Sequence, residues 1–288
     1  MGRTTFQKIL IIGYGRIAAQ VLEYVCGKSG EYGYVTEFVE HEIQPFGILK
    51  KICEERQVPF LSVPERRRLA EELSKIREET LIISASNNFL FPPDVVAKEN
   101  VTIVNFHNAL LPRFPGRNAP SWVIYEGERE TGITWHYVTA GVDEGSIILQ
   151  KRCAIEPDMK AYELAEKLMT LALEGFCECF GEILEKSAPA RPQQMPPHRR
   201  MYRSGEIPGG GHFDTQDSPA DIYRLLRAVD YGKNNIFPEV TATHEGREIR
   251  ILRYKKVSRE TAARGEGLLY LPLDEDNVLK LKYGVCGG

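Results

Sequence analysis

Three polar side chains in the middle of the sequence have the types that general acid–base chemistry requires. Asn105 and His107 stand two residues apart at the end of the apolar run VTIVNF, residues 101–106. On a β-strand this spacing places both side chains on one face of the sheet. Asp143 lies in the segment GVDEG, residues 141–145, whose glycines allow a tight turn that brings the carboxylate inward. An imidazole beside a carboxylate can move protons, and a side-chain amide can donate a hydrogen bond to a developing oxyanion.

Each of these residues also has a purely structural explanation. Asn105 and His107 could bond only the backbone of the long loop that follows them, which contains several Pro and Gly residues. Aspartates in glycine-rich turns are usually surface residues that stabilise the turn itself. The chemical interpretation therefore depends on whether the fold brings the three side chains together.

A glycine turn follows the first apolar run of the chain, residues 7–13. Residues 13–18, GYGRIA, fit the pattern G-x-G-x-x-A that begins dinucleotide-binding units, with Glu37 or Glu40 as an acidic partner near the end of the second strand. Many α/β folds need glycine at the same place because a strand must turn sharply into a helix that packs close to the sheet. A dehydrogenase that uses NAD therefore stays open as an alternative of a different class.

Apolar runs that alternate with helical spacing predict the elements that position these residues. Strands separated by helices in this way are typical of βαβ units and a parallel, Rossmann-like α/β sheet. The predicted strands are residues 7–13, 34–40, 80–86, 101–106, 131–138 and 146–155, and the predicted helices are residues 16–26, 46–57, 65–78 and 159–186. The last helix is expected to bury Leu164, Leu168, Leu171, Phe176, Phe180 and Leu184.

The C-terminal third of the chain has a different pattern. Residues 191–211 are rich in Pro and Gly and poor in apolar residues, which predicts a linker. Its charge cluster, His198 to Arg200 with Arg203, could contact a phosphate, although solvated linker charges explain it more simply. A helix over 218–229, with Ser218 at the N-cap and Pro219 at N1, precedes strands over 247–257 and 267–282.

The motifs between residues 80 and 155 resemble one known family. In order, the chain shows N-x-H, L-L-P, G-R-N-x-P-x-W, T-G-I-T-W-H and D-x-G-x-I. This set resembles the 10-formyltetrahydrofolate-dependent formyltransferases, and it is closest to the amino-sugar N-formyltransferases, which are related to methionyl-tRNA formyltransferase. The resemblance implies a catalytic α/β domain over 1–190, a linker over 191–211 and a small accessory domain over 212–288. That second domain is expected to combine a helix with a β-barrel-like (OB-like) sheet.

The resemblance also implies roles for particular residues. Asn105, His107 and Asp143 match the catalytic set, and no metal is expected. The folate co-substrate is expected along Ser86, Asn87, Phe89, Leu90, Phe91, Val138, Ala140 and Val142. The acceptor is expected near Gly13, Tyr14, Arg16, Arg113, Arg117 and Asn118. One departure is Ala109, because many relatives carry Ser at that place.

Several acceptors compete for the formyl group. The motif GRNAPSW, residues 116–122, is similar to the amino-sugar enzymes, so a nucleotide-linked amino sugar is the expected acceptor. An amino acid or hydroxyornithine of siderophore or peptide assembly is the alternative. Initiator tRNA is less favoured because its binding needs a basic surface, whereas Glu37 to Glu42 is acidic and the net charge is −3.

Composition limits the classes of protein that remain. The 288 residues are 42% hydrophobic and 27% charged, typical of a folded protein. No apolar stretch approaches the roughly 20 residues of a membrane span, so no membrane partner is expected. The slightly acidic charge argues against nucleic acid as a partner, and a homodimer stays open. The lack of a signal peptide and the scattered cysteines predict a cytoplasmic protein; these are Cys26, Cys53, Cys153, Cys177, Cys179 and Cys286.

Overall fold

A computed structural model describes residues 4–43, 47–233, 235–261 and 265–285. Cys286 lies outside these described residues. The chain divides into two compact units. The first contains residues 1–116, 131–153 and 166–201, and the second contains residues 117–130, 154–165 and 202–288. The predicted domain boundaries at residues 190 and 212 stay a prediction, because compactness does not test whether either part folds alone.

A seven-stranded sheet forms the centre of the first unit, in the strand order β3-β2-β1-β4-β5-β6-β7. The pairs β1–β2, β1–β4, β2–β3 and β4–β5 are parallel, whereas β5 and β6 are antiparallel. The prediction of a mostly parallel α/β sheet is therefore confirmed. The strands are β1 (Lys8–Gly13), β2 (Val35–Glu40), β3 (Phe60–Ser62), β4 (Thr80–Ala85), β5 (Val101–His107), β6 (Glu130–Tyr137) and β7 (Ile147–Ala154).

The sheet core explains why these segments are strands. Residues 9–12 and 80–85 are buried throughout, as expected for parallel strands covered on both faces. The helices of the chain are α1 (Gly15–Tyr32), α2 (Ile48–Arg56), α3 (Arg66–Ser74), α4 (Pro93–Val96), α5 (Ala119–Tyr125), α6 (Ala161–Leu184) and α7 (Pro219–Ala228).

Several element boundaries differ from the predictions. Helix α1 runs six residues beyond the predicted end at residue 26, to Tyr32, and Gly33 follows as a left-handed cap with a φ of 82°. Helix α3 ends at Ser74 rather than residue 78. On α6, Leu171 is only half-buried, and Ala172 lies fully in the core instead. The short elements β3, α4 and α5 were not predicted, because three to seven residues carry little periodicity.

The second unit contains a five-stranded sheet in the order β11-β12-β10-β9-β8. The segment predicted as one strand over 267–282 is two strands, because Asp274 accepts the backbone N–H groups of Asp276 and Asn277 and closes a turn. Ser218 occupies the N-cap position of α7, but its side chain makes no capping hydrogen bond there. The strands are β8 (His212–Asp214), β9 (Thr241–His244), β10 (Arg247–Ser258), β11 (Leu268–Pro272) and β12 (Asn277–Val285).

Helix α7 packs on this second sheet. Its apolar face, Ile222, Leu225 and Leu226, shares a core with Phe213 and Leu279. The OB-like barrel form of this unit stays a prediction. Throughout the described ranges, no helix is long and apolar enough to cross a membrane.

Candidate active site

Three polar residues form a row across neighbouring strands of the first unit. Ser84 on β4 pairs with Asn105 on β5, and Asn105 pairs in turn with His136 on β6. Residues directly opposite each other in a sheet place their side chains on the same face. The strand register alone therefore aligns the three side chains near the carboxyl ends of β4 and β5, where open α/β sheets bind their ligands.

Hydrogen bonds fix the orientation of this row. Ser84 Oγ donates to Asn105 Oδ1 at 2.7 Å, and Asn105 Nδ2 donates to His136 Nε2 at 3.0 Å. The other ring nitrogen of His136 lies 2.8 Å from the carbonyl oxygen of Tyr137, which can only accept. The proton of His136 is therefore on Nδ1, and Nε2 carries a lone pair.

His136 is neutral in this arrangement. Burial lowers its pKa to about 4, although the nearby Asp143 carboxylate works in the opposite direction. The distance of 3.6 Å between His136 Nε2 and Asp143 Oδ1 is thus not an ion pair at neutral pH, because Nε2 has no proton to offer. His136 instead orients the Asn105 amide, whose second N–H stays free of the His136 bond.

His107 ends β5 and joins the row to the loop that follows. Its side chain is 5% exposed, and Nε2 donates to the carbonyl oxygen of Phe114 at 2.8 Å. Phe114 has a φ of 54°, in the left-handed region that a non-glycine residue rarely adopts. The bond fixes the ring so that Nδ1 faces the carboxylate of Asp143.

Asp143 lies between the two histidines. Its Oδ2 accepts the backbone N–H of Gly116 at 2.7 Å and is 3.6 Å from His107 Nδ1. Only 10% of the side chain is exposed, so the carboxylate points inward as the flanking glycines predict. The structure thus brings Asn105, His107 and Asp143 into one cluster, and their catalytic roles stay predictions. This arrangement can exchange a proton between carboxylate and imidazole beside an amide donor.

The loop expected to hold folate follows β4. Asn87 caps the loop, because its Oδ1 accepts the N–H of Phe89 at 3.0 Å. Ser86 has a φ of 60°, and its carbonyl accepts the N–H of Tyr14 at 3.0 Å. The three apolar residues of the loop differ: Phe89 is 5% exposed and belongs to the core, whereas Leu90 is 63% exposed and Phe91 is half-buried.

The other residues expected at the folate site lie after β6. The N–H of Val138 bonds to the carbonyl oxygen of Ile103 at 2.9 Å, which continues the sheet. Ala140 is exposed and Val142 is 37% exposed. These residues lie in the segment that leads to Asp143, so they border the same end of the sheet as the cluster.

The residues expected to bind the acceptor lie in several places. Gly13 is buried, and a Cβ there would overlap the carbonyl oxygen of Ala85, so close strand packing by itself requires this glycine. Tyr14 is half-buried. Arg16 pairs with Glu166 at 2.6 Å on the surface. Arg113 is exposed over the ring of Phe114.

Arg117 and Asn118 belong to the second unit. The N–H of Arg117 bonds to the carbonyl oxygen of Tyr202 at 2.8 Å. Asn118 has a φ of 55° at the N-cap of α5. Both are half-buried, and their role toward an acceptor stays a prediction.

Sequence reasoning missed four residues that contact this cluster. Ser84 and His136 were missed because their roles depend on strand register, although the T-G-I-T-W-H motif already contained His136. Gln193 and Arg199 were missed because they lie in the predicted linker, where Gln193 Nε2 donates to the Asp143 carbonyl oxygen at 3.0 Å and Arg199 Nη2 donates to it at 3.1 Å. Its place in a charge cluster was the only sequence signal for Arg199, and the sequence contained no signal for Gln193.

Comparison with known proteins gives a family match over the same region. The model of the formyl transferase family matches residues 15–179, more than half of the chain. These residues include the whole cluster together with Ser84 and His136, but not Gln193 or Arg199.

Individual relatives are similar over different lengths. Methionyl-tRNA formyltransferase of Caldanaerobacter subterraneus subsp. tengcongensis is 27% identical over 187 residues, which cover 64% of this chain and 60% of the relative. The chain thus spans about three fifths of the length of the first curated relatives that it matches. GDP-perosamine N-formyltransferase of Brucella melitensis is 26% identical over 222 residues, covering 77% of this chain and 84% of the relative.

A solved structure shares the fold along nearly the whole chain. It is the N-formyltransferase of Helicobacter canadensis in complex with folinic acid and dTDP-3-aminofucose. The TM-score is 0.73 at 15% identity, with 97% of this chain and all of the other covered. At that identity the likeness establishes the fold alone.

Proposed function

The chain belongs to the formyl transferase family, and from that membership we propose that it moves a formyl group from 10-formyltetrahydrofolate to the amine of a nucleotide-linked amino sugar. One observation carries the proposal: a buried Asp143 carboxylate lies 3.6 Å from His107, on the face of the sheet where Asn105 offers an amide donor. Acid–base groups beside an oxyanion donor suit acyl transfer to an amine.

The amino-sugar acceptor is supported by the relatives. A curated relative acts on GDP-perosamine, and the structure from Helicobacter canadensis holds dTDP-3-aminofucose. Both acceptors are amines on a sugar that is linked to a nucleoside diphosphate. The motif GRNAPSW at residues 116–122 favours the same class.

The loop of Ser86 to Phe91 fits the folate co-substrate. Within the described residues, Asn88 Oδ1 is buried and has no hydrogen-bond partner, so this loop holds an acceptor for an N–H group. Leu90, at 63% exposed, offers an apolar surface beside it. A flat pterin ring with polar edges matches both features. When bound, 10-formyltetrahydrofolate supplies the formyl carbon and the nitrogen from which that carbon departs.

Asn105 stabilises the charge that develops on the formyl oxygen. One N–H of its Nδ2 donates to His136 at 3.0 Å. Because the amide is planar, this bond also fixes the direction of the second N–H. The amide cannot flip and present its oxygen instead, because His136 Nε2 has no proton to donate to that oxygen, and Ser84 adds a bond of 2.7 Å to Oδ1. A donor fixed in advance stabilises developing charge without reorganisation during the reaction.

Asp143 and His107 move the proton. Asp143 accepts the proton that the acceptor amine loses as the new bond between its nitrogen and the formyl carbon forms. His107 Nδ1 faces Oδ2 of this carboxylate. The pair therefore returns one proton to the departing folate nitrogen as the bond between that nitrogen and the formyl carbon breaks. The pair ends the cycle with the protons it had at the start.

A second acceptor, initiator tRNA, is supported by the methionyl-tRNA formyltransferases among the relatives. The net charge of −3 and the acidic segment from Glu37 to Glu42 weaken it, because tRNA binding relies on basic side chains. The amino sugar therefore remains the proposed acceptor.

The test is the release of tetrahydrofolate from 10-formyltetrahydrofolate with a panel of acceptors. The panel contains nucleotide-linked 3- and 4-amino sugars, ornithine, N-hydroxyornithine and charged initiator tRNA, with Asp143→Asn as the blank. Turnover with an amino sugar that the variant lacks supports the proposal. Turnover only with an ornithine or with tRNA keeps the reaction and replaces the acceptor. Turnover with none of them, together with no folate binding, contradicts the reaction itself.

A further inference from the structure

Residues 191–199 of the predicted linker lie along the loop that carries Asp143. We name this segment the strap. It is anchored to the start of β7, where Ile147 and Arg191 exchange backbone N–H···O bonds of 2.8 and 3.0 Å. The strap and the loop both belong to the first unit.

Two side chains of the strap bind the backbone of the loop. Gln193 Nε2 donates to the carbonyl oxygens of Asp143 and Gly145 at 3.0 and 2.7 Å. Arg199 Nη2 donates to the carbonyl oxygens of Val142 and Asp143 at 2.9 and 3.1 Å. The Asp143 carbonyl oxygen therefore accepts from both side chains.

Arg199 uses both terminal nitrogens of its guanidinium group in contacts with the loop. Its side chain is only 12% exposed, and Nη1 pairs with Glu144 Oε1 at 2.8 Å. Both terminal nitrogens thus have partners inside the loop, and the charge is balanced by a carboxylate. The alternative in which this cluster contacts a phosphate does not fit Arg199, because its terminal nitrogens already bind the loop.

The loop needs such support because its conformation is costly. Asp143 has a φ of 54°, a left-handed conformation that favours glycine, and the loop lies outside the regular strands. A glycine-flanked turn of this kind has many alternatives of similar energy in isolation. Bonds to the carbonyl oxygens of Val142, Asp143 and Gly145 select one of these conformations.

We propose that Gln193 and Arg199 are positioning residues that hold the Asp143 carboxylate against the N–H of Gly116 and the ring of His107. They touch no reacting atom and act only through the loop, by its backbone carbonyl groups and, for Arg199, the Glu144 carboxylate. The catalytic meaning of this contact rests on the proposed function, but the contact itself is tested without any substrate.

The exchange rate of the Gly116 amide hydrogen reports the position of the carboxylate, because this amide donates to Asp143 Oδ2 at 2.7 Å. Gln193→Met keeps the length of the side chain and removes its donor, whereas Arg199→Met keeps the apolar stem and removes the guanidinium group. Each is expected to speed exchange at Gly116 roughly two- to tenfold, the range of one weakened hydrogen bond. Amides of β1 are expected to keep their rates. Arg203→Met, an exposed arginine of the same charge cluster, is the matched control and should change neither.

The double variants decide between positioning and general destabilisation. In an Asp143→Ala background the carboxylate is gone, so Arg199→Met should add no further acceleration at Gly116. Unchanged exchange at Gly116 in both single variants overturns the proposal. Equal acceleration in β1, or full additivity with Asp143→Ala, also overturns it. If Arg199→Met does not fold, Gln193→Met answers the same question at the same amide.

A kinetic measurement adds the functional consequence. With an acceptor found by the panel, Arg199→Met is expected to lower kcat about tenfold and leave both KM values unchanged, whereas Arg199→Lys recovers part of the rate. Loss of substrate affinity with unchanged kcat contradicts positioning. If no acceptor in the panel is turned over, the proposed function fails, and the exchange experiment still decides the role of the strap.

Discussion

Asn105 and His136 are held by the sheet, whereas Asp143 is held by a loop and by side chains that lie about 50 residues further along the chain. The first group is aligned by strand register, with Ser84, Asn105 and His136 directly opposite one another. The second depends on bonds from Gln193 and Arg199 to backbone carbonyl groups. The oxyanion donor and the proton acceptor of one site are therefore positioned by different means.

Because of this difference, we expect the sheet residues and the loop carboxylate to contribute differently to stability and to activity. A buried row within a sheet contributes to the folded state, because removing one member leaves buried polar partners unpaired. A carboxylate on a loop contributes little to folding beyond its own contacts. Changes in the row should therefore alter both stability and rate, while changes in the loop should alter mainly the rate.

The largest effect is expected from Asp143→Asn. The amide keeps the shape and the bond to Gly116 but cannot take a proton, so turnover should fall on the order of 10²–10⁴-fold. Stability at pH 7 should change by less than about 1 kcal/mol, because an amide oxygen still accepts the Gly116 N–H. Steady-state kinetics and urea unfolding measure the two quantities. Asp94→Asn, in the exposed first turn of α4, is the control. If Asp143→Asn lowers the rate by less than about tenfold, Asp143 is not the base.

Asn105→Ala tests the other side of the comparison. It removes the proposed oxyanion donor, so turnover should fall roughly 10²–10³-fold. It also leaves Ser84 Oγ and His136 Nε2 without their bonds, which should cost about 1–3 kcal/mol of stability. The same two measurements check it. Loss of rate with full stability would show that the row is not a structural unit, and the contrast with Asp143 would disappear.

The sequence allowed much of the sheet to be predicted, because buried parallel strands are continuous apolar runs such as residues 80–85. The spacing of Asn105 and His107 on one face, and the inward turn at Asp143, also followed from local rules. The partners of these residues did not. The pairing of His136 depends on the register of an antiparallel strand, and the contact of Arg199 depends on where a segment without periodic structure crosses the fold.

His136 provides a pH test of the row. In the unfolded chain its pKa is about 6.5, and burial lowers it to about 4 in the fold. The protein therefore keeps the full contribution of neutral His136 above pH 6.5 and loses stability as the pH falls toward 4, by about 3 kcal/mol in total. His136→Gln, which can still accept from Asn105, should lose less over this range.

Urea unfolding at several pH values between 7 and 4 measures this difference, because the other titrating groups are shared by both proteins. His198→Gln is the control, since it makes the same replacement at an exposed histidine outside the row. Equal acid dependence of His136→Gln and the parent would show that folding does not lower the pKa of His136. The ring would then gain a proton near pH 6.5 in the folded chain as well, and below that pH Asn105 would lose the acceptor that orients it.

The smallest effect is expected from Ser84→Ala. Ser84 Oγ holds Asn105 Oδ1 at 2.7 Å, but the amide keeps its second contact at His136, so its orientation is weakened rather than lost. We expect a stability loss of about 1 kcal/mol and a fall in kcat of less than about tenfold, with KM unchanged. Ser204→Ala, at an exposed serine, should alter neither quantity. A loss in kcat as large as that of Asn105→Ala would mean that Ser84 itself contacts the reacting groups, and the row would then have two donors rather than one donor and its support.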